Sequence, residues 1–243
     1  MNNFFKAIIR RPGIFNGLFV KSLIFVTIAV AIFSVRSSAQ VTLTASSGIP
    51  AASFTTLKQA FDAINSGDHH GNIIININAN TDEGVTPATL NSNDADPSSY
   101  TSVLIQPTAD NIVVTGNPPA GFAVIQLNGA DNVTINGDNP NSGSTNRNLT
   151  VNNTTTATFT GNSCIRVATS AAVKSADNIS ILNCILNGNV TSGNSSLVTA
   201  LTSSSNISFG IYAGGNGGAT ANGAPTAITS ETANSAPIGT TIN

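Results

Sequence analysis

One phrase recurs along this 243-residue chain and limits what it can fold into. It is an Asn, an aliphatic residue, a Val, Thr or Ser, then a second apolar residue. It starts at Asn111, Asn132, Asn148, Asn178 and Asn206, at intervals of 21, 16, 30 and 28 residues. In three copies an Asp comes first, as Asp110-Asn111, Asp131-Asn132 and Asp177-Asn178. Irregular periods of about 20–30 residues with one strong strand each predict a solenoid of stacked, equivalent units.

The runs between the phrases agree. Asn72–Asn78, Ser102–Gln106, Ala123–Leu127 and Cys164–Val167 are β-branched, short, and bounded by Asn, Gly, Asp or Pro. Several alternate with period two, as half-buried strands do. A β-sandwich would show more even spacing and clearer hairpin turns. Only Asn136-Gly137 and Asn187-Gly188 resemble two-residue hairpins, and neither joins two matched strands. The expected fold is therefore all-β, a parallel β-helix in which each strand stacks on its equivalent about 4.8 Å away. The recurring Asn suits a corner, where it tolerates left-handed backbone. Stacked copies of Asn111, Asn132, Asn148, Asn178 and Asn206 would form amide ladders.

Composition supports this. Charged residues make up 8% of the chain, against roughly 25% in average globular proteins. Asn, Ser and Thr number 32, 27 and 29, so the exposed faces are amide and hydroxyl rather than ionic. One segment reads as a helix. In 54–65, Phe54, Leu57, Ala60, Phe61 and Ile64 share a face, Thr56 and Gln59 have capping-box spacing, and Asn65-Ser66-Gly67 ends the run. A helix there would cover the open end of the first coil.

The first 39 residues read as an address. A basic stretch with Lys6, Arg10, Arg11 and Lys21 precedes the apolar run Ser22–Val35, and Ser37-Ser38-Ala39 follows. This is the layout of a secretory signal peptide, with Gln40 as the expected mature start; an uncleaved anchor is the alternative. The remainder carries four cationic and eleven acidic residues, which argues against a nucleic-acid partner. Membrane contact is expected only through the leader before cleavage.

Four segments in order carry a resemblance. They are Phe54–Gly67, Gly71–Ile77, Tyr100–Pro107 and Leu127–Gly137, the last reading Leu-Asn-Gly-Ala-Asp-Asn-Val-Thr-Ile-Asn-Gly. Over about 42–213 the chain resembles the N-terminal region of large exported bacterial β-helix proteins of the Bacteroidota type. The resemblance implies a right-handed parallel β-helix of the pectate-lyase-like superfold, secreted or on the outer cell surface. It implies no activity. The segment 214–243 is rich in Gly, Ala, Thr and Ser, with no cap or sorting domain, which predicts a truncated continuation of the coil or a flexible tail.

The search for chemistry yields little. Lyases of this superfold need a cationic base, and the mature chain offers Lys58, Arg147, Arg166 and Lys174. Arg147 and Arg166, one strand apart, could share a face; exposed positions on a polar sheet explain them more simply. Asp110, Asp131 and Asp177 recur at one repeat position. Turn residues account for them first, a calcium ladder second, catalysis third. His69-His70 point to opposite sides of an extended chain and suit one metal poorly, which leaves them as loop residues. Cys164 and Cys184, one period apart, are expected as a disulfide or as stacked thiols on successive coils. With no Trp, and Tyr100 and Tyr212 as the only tyrosines, an aromatic sugar platform is not expected. Sequons at Asn132, Asn148 and Asn178 follow from the phrase itself.

The sequence thus predicts no catalytic residue and no cofactor beyond calcium at Asp110, Asp131 and Asp177. The expected protein is a non-enzymatic exported scaffold, stalk-like or adhesin-like, that meets polysaccharide or other surface components. The alternative is the N-terminal part of a polysaccharide lyase or glycoside hydrolase whose active residues lie beyond this chain.

Overall fold

The computed structural model describes residues 39–156, 162–169, 175–189, 208–214 and 241–242. The leader up to residue 38, Lys174, Asn206 and the stretch 215–240 lie outside the described residues. The described part is mostly β, with one helix. No helix among these residues is long and apolar enough to cross a membrane.

Two strands and the helix come first. They are β1 (Val41–Gly48), β2 (Ala51–Phe54) and α1 (Leu57–Asn65). β1 pairs antiparallel with both β2 and β3 (His69–Ile77), so the chain opens on a hairpin that the sequence did not announce. Gly48 turns that hairpin at φ 76°, and a Cβ there would lie 2.5 Å from the Asp68 carbonyl oxygen. α1 starts three residues later than Phe54, because Thr56 is extended and serves as its N-cap. Leu57, Ala60, Phe61 and Ile64 are fully buried, and the helix packs on β1, β2, β3 and β5 (Ala88–Asn91).

The remaining strands follow a rule of three. In chain order they are β4 (Thr81–Asp82), β6 (Tyr100–Pro107), β7 (Ile112–Gly116), β8 (Ala123–Asn128), β9 (Val133–Asn136), β10 (Leu149–Asn153), β11 (Asn162–Ala168), β12 (Ser180–Leu182), β13 (Cys184–Gly188), β14 (Ser208–Gly214) and β15 (Thr241–Ile242). From β3 to β12 each pairs in parallel with the strand three places on. Three sheets result. The first is seven-stranded, β15-β12-β9-β6-β3-β1-β2; the second is β13-β10-β7-β4; the third is β14-β11-β8-β5.

Register holds the core together. In the first sheet Leu43, Ile75, Ile105, Ile135 and Ile181 align across five strands, none more than 2% exposed. The second sheet aligns Val114 with Val151, and the third aligns Leu90, Leu127 and Val167, all fully buried. Each such aliphatic side chain contributes about 1.5–3 kcal/mol of burial. A slip of one residue would turn the whole row to solvent, so the register is fixed by the pattern itself.

The corner asparagines divide into two sets. Asn111, Asn132 and Asn178 adopt left-handed backbone at φ 57°, 56° and 56°. Asn183, outside the phrase, does so at φ 54°, while Asn148 is not among the positive-φ residues. Asn111, Asn148 and Asn183 immediately precede the aligned Ile112, Leu149 and Cys184 of the second sheet. Asn132 and Asn178 precede the strands of the first. The phrase therefore marks two different corners, not one. That corrects the expectation that Asp110, Asp131 and Asp177 share a repeat position.

Candidate functional site

The aspartates work as turn residues where the structure describes them. Asp131 Oδ1 accepts the Asp177 amide at 2.7 Å, so these two sit one above the other. Asp177 Oδ2 accepts from Ser175 Oγ at 2.8 Å. Asp110, at the other corner, accepts from Asn139 Nδ2 at 2.8 Å. Among the described residues no three His, Cys, Asp or Glu side chains gather as a metal site.

The other expected groups also separate. Both cysteines are free thiols. Cys184 aligns with Leu149 in the second sheet, while Cys164 lies on β11 of the third, so the two are neither bonded nor stacked. Burial pushes each thiol up to about 11, and each donates to a backbone carbonyl, Cys164 to Asn187 at 3.1 Å and Cys184 to Leu182 at 3.2 Å. His69 and His70 are not loop residues; they open β3. His69 is buried, its Nδ1 2.7 Å from the Ile49 carbonyl and its ring edge-on to Phe54. Tyr100 is core, its hydroxyl donating to the Asn91 carbonyl at 2.7 Å. Burial, with Asp131 and Asp94 nearby, holds that phenol well above its ordinary range.

The described cations, Lys58, Arg147 and Arg166, lie on different elements. Lys58 on α1 pairs with Asp62 at 2.5 Å. Arg147 is exposed in the connection between β9 and β10. Arg166 lies on β11, only 8% exposed, and its Nε has no hydrogen-bond partner. It sits in a cross-strand row of the third sheet, Thr89, Gln126, Arg166 and Tyr212. Burial pulls the guanidinium below its ordinary range, and the nearby Tyr212 partly offsets this.

Sequence reasoning missed Glu83. Its carboxylate reaches across to α1, Oε1 accepting the Leu57 amide at 3.1 Å and Oε2 the Lys58 amide at 2.8 Å. Thr56 Oγ1 accepts the Gln59 amide at 3.2 Å, so three of the first helical N–H groups find side-chain acceptors. Gln59 reaches back to the Thr55 amide, one residue before the position a capping box requires. Only a helix N-terminus near residue 57 together with a buried carboxylate could have signalled the contact.

Side chains also bond along the direction of strand stacking. Ser102 Oγ donates to Asn72 Oδ1 at 3.0 Å, and Gln106 Nε2 to Asn76 Oδ1 at 3.0 Å. Asn178 Nδ2 donates to Asn132 Oδ1 at 3.1 Å, and Asn183 Nδ2 to Asn136 Oδ1 at 3.0 Å. All of these lie on or beside the first sheet. Among the described residues these ladders offer neutral hydrogen bonding along the strand-stacking direction, and the buried Arg166 guanidinium lies apart from them on the third sheet. No family profile, curated protein or solved structure matches the chain.

Proposed function

We propose that this chain is an exported, right-handed parallel β-helix acting as a non-enzymatic scaffold of the cell surface or medium, stalk-like or adhesin-like. The observation that carries the reading is the three-strand period. β3, β6, β9 and β12 pair in parallel, and their successors pair likewise, as successive coils of one helix do. The antiparallel hairpin and α1 supply a covered first coil, which a solenoid needs. Handedness rests on the sequence resemblance, and export on the leader. The scaffold role is supported by the dispersal of Lys58, Arg147 and Arg166 over different elements.

A second reading makes the chain part of a polysaccharide lyase or hydrolase. One observation favours it, the buried Arg166 guanidinium whose Nε lacks a partner. One experiment separates the two. Antibody raised to residues 40–243 locates the native protein in surface, medium and cytoplasmic fractions, and the same preparation is assayed on acidic and neutral polysaccharides. Surface or medium location without depolymerisation is expected. Cytoplasmic retention would end the export reading, and cleavage lost in Arg166→Ala would end the scaffold reading.

A further inference from the structure

We propose that Asn187-Gly188 is a site of spontaneous deamidation, the one among the described Asn-Gly steps that the fold leaves open to it. The proposal does not depend on the scaffold reading above. It assigns a covalent modification whose only co-reactant is water.

The chemistry is that of any Asn followed by Gly. The Gly amide loses its proton, and its nitrogen attacks the Asn Cγ. The bond from Cγ to the side-chain nitrogen breaks, and ammonia leaves with the proton. Water then opens the cyclic imide at either carbonyl, giving aspartate or isoaspartate. Nothing is oxidised or reduced. The step needs a following amide free of hydrogen bonds, a mobile carboxamide and backbone that can turn toward it. Gly suits it because it places no side chain in the way and its backbone turns freely.

Three such steps lie among the described residues, Asn128-Gly129, Asn136-Gly137 and Asn187-Gly188. The first two are closed. The Gly129 amide donates to the Ala168 carbonyl at 2.7 Å, and the Gly137 amide to the Leu182 carbonyl at 2.8 Å. Both glycines are buried. The Asn136 carboxamide is also held, its Oδ1 accepting the Asp138 amide at 3.1 Å and Asn183 Nδ2 at 3.0 Å. A Cβ at Gly137 would run into the Asn183 carbonyl.

Asn187-Gly188 differs on each count. Both residues are exposed, at the last two positions of β13, the end strand of the second sheet. The ladder shows where the Gly188 amide points. β10 gives its Thr154 amide to Gly116 at 2.8 Å and takes the Ile112 amide on Asn148 at 2.8 Å, so its even-numbered residues bond to β7. Alternation along a parallel pair assigns its odd-numbered residues to β13. With Leu149 aligned to Cys184, the bonding residues of β13 are odd-numbered too, Asn187 among them. The Gly188 amide faces the other way, off the edge. Among the described residues nothing holds the Asn187 carboxamide either. The Asn187 carbonyl, which shares the charge once the Gly188 nitrogen is deprotonated, accepts from Cys164 Sγ at 3.1 Å. A donor is thus in place where that charge develops. Strand ends open at low cost, so the last pair, Asn153 with Gly188, can part without unfolding the coil. Reaction puts a carboxylate on an edge strand with no charged residue of its own, and isoaspartate adds a methylene to its backbone.

The test holds the full chain, folded, in mildly alkaline buffer at body temperature. Peptide mapping by mass spectrometry follows each step, and an isoaspartyl methyltransferase reads isoaspartate. Asn16-Gly17, Asn216-Gly217 and Asn222-Gly223 lie outside the described residues, and the mapping separates them. Conversion at Asn187 to isoaspartate and aspartate is expected, about tenfold or more faster than at Asn128 or Asn136, because those two must first break a hydrogen bond and open buried backbone. In denaturant the three rates should converge. Asn187→Gln should remove the isoaspartate that maps to β13, with circular dichroism unchanged; Gly188 is left intact, since a Cβ there would run into Ser208 Oγ. Conversion at Asn187 no faster than at Asn128 and Asn136 in the folded protein overturns the proposal. So does a product that is aspartate alone, which would mean direct hydrolysis without the cyclic imide. The comparison within the parent protein decides the matter even if Asn187→Gln does not fold.

Discussion

Glu83 grips the start of α1 from 25 residues further along the chain, its Oε2 2.8 Å from the Lys58 amide and its Oε1 3.1 Å from the Leu57 amide. The contact ties the helix to the strand region that follows β3. A carboxylate at a helix N-terminus meets both free N–H groups and the positive end of the helix dipole. Truncation to Glu83→Ala leaves two amides without acceptors. The expected loss is ~1–3 kcal/mol, read as a lower denaturation midpoint with an unchanged slope. A variant as stable as the parent would mean that water replaces the carboxylate fully.

The same carboxyl gives a pH dependence with a definite sign. Burial raises the Glu83 pKa above its ordinary value, and the Lys58 and Leu57 amides only partly counter this. The folded state therefore holds the proton more tightly than the unfolded state. The stability this supplies is complete below about pH 4 and is lost as pH rises through the raised folded value. Glu83→Gln, neutral throughout, lacks that slope. Its melting temperature relative to the parent should rise between pH 4 and pH 7. A parent that gains on Glu83→Gln over this window would show that the amide bonds outweigh burial.

Neighbouring positions in β6 should respond very differently to truncation. Ile105 is fully buried between Ile75 and Ile135, whereas Leu104 points outward. Ile105→Ala should cost about 2–5 kcal/mol, because the stacked row cannot collapse around the cavity. Leu104→Ala should cost under about 1 kcal/mol. Similar losses at the two positions in urea titrations would contradict the register.

The described thiols should be inert while the chain is folded. Cys164 and Cys184 are held at about 11 by burial and lie in different sheets. At pH 8 a disulfide reagent that reports thiolate should react slowly with native protein and quickly with two thiols in denaturant. Fewer than two without prior reduction would reveal a bond between them.

The strand positions were legible because apolar alternation is written into each run. The predicted runs at 72–78, 102–106, 111–115, 123–127, 132–135 and 148–151 each have both ends within three residues of those of β3, β6, β7, β8, β9 and β10. The strands that escaped notice have other causes. β4 is two residues long, and β1 and β2 carry Ser and Ala where a strong strand would carry Val or Ile. Asp110 and Asp131 both precede an Asn, and a local phrase cannot say which of two corners it occupies. Glu83 was invisible for a related reason, since its partners are amides distant in sequence.

Asn132 and Asn178 offer the sharpest test of the corner geometry. Both hold left-handed backbone at φ 56°, and Asn178 Nδ2 donates to Asn132 Oδ1 at 3.1 Å. Two properties of Asn are therefore in use, its tolerance of positive φ and its amide. Substitutions at Asn178 separate them. Asn178→Gly keeps the backbone and loses only the exposed ladder bond, so the expected cost is about 0.5–1 kcal/mol. Asn178→Ala keeps a Cβ in the left-handed region without the polar side chain that lets Asn tolerate it, and so costs about 1–2 kcal/mol more than Asn178→Gly. Asn178→Val adds a β-branched clash on top and should be the least stable of the three. The expected order of melting temperatures is parent above Gly above Ala above Val, the first step set by the lost side-chain bond and the later ones by backbone strain. If Val equals Gly, the corner is not left-handed. If Gly falls below Ala, the amide and the loss of backbone entropy outweigh the strain, and the ladder holds the corner.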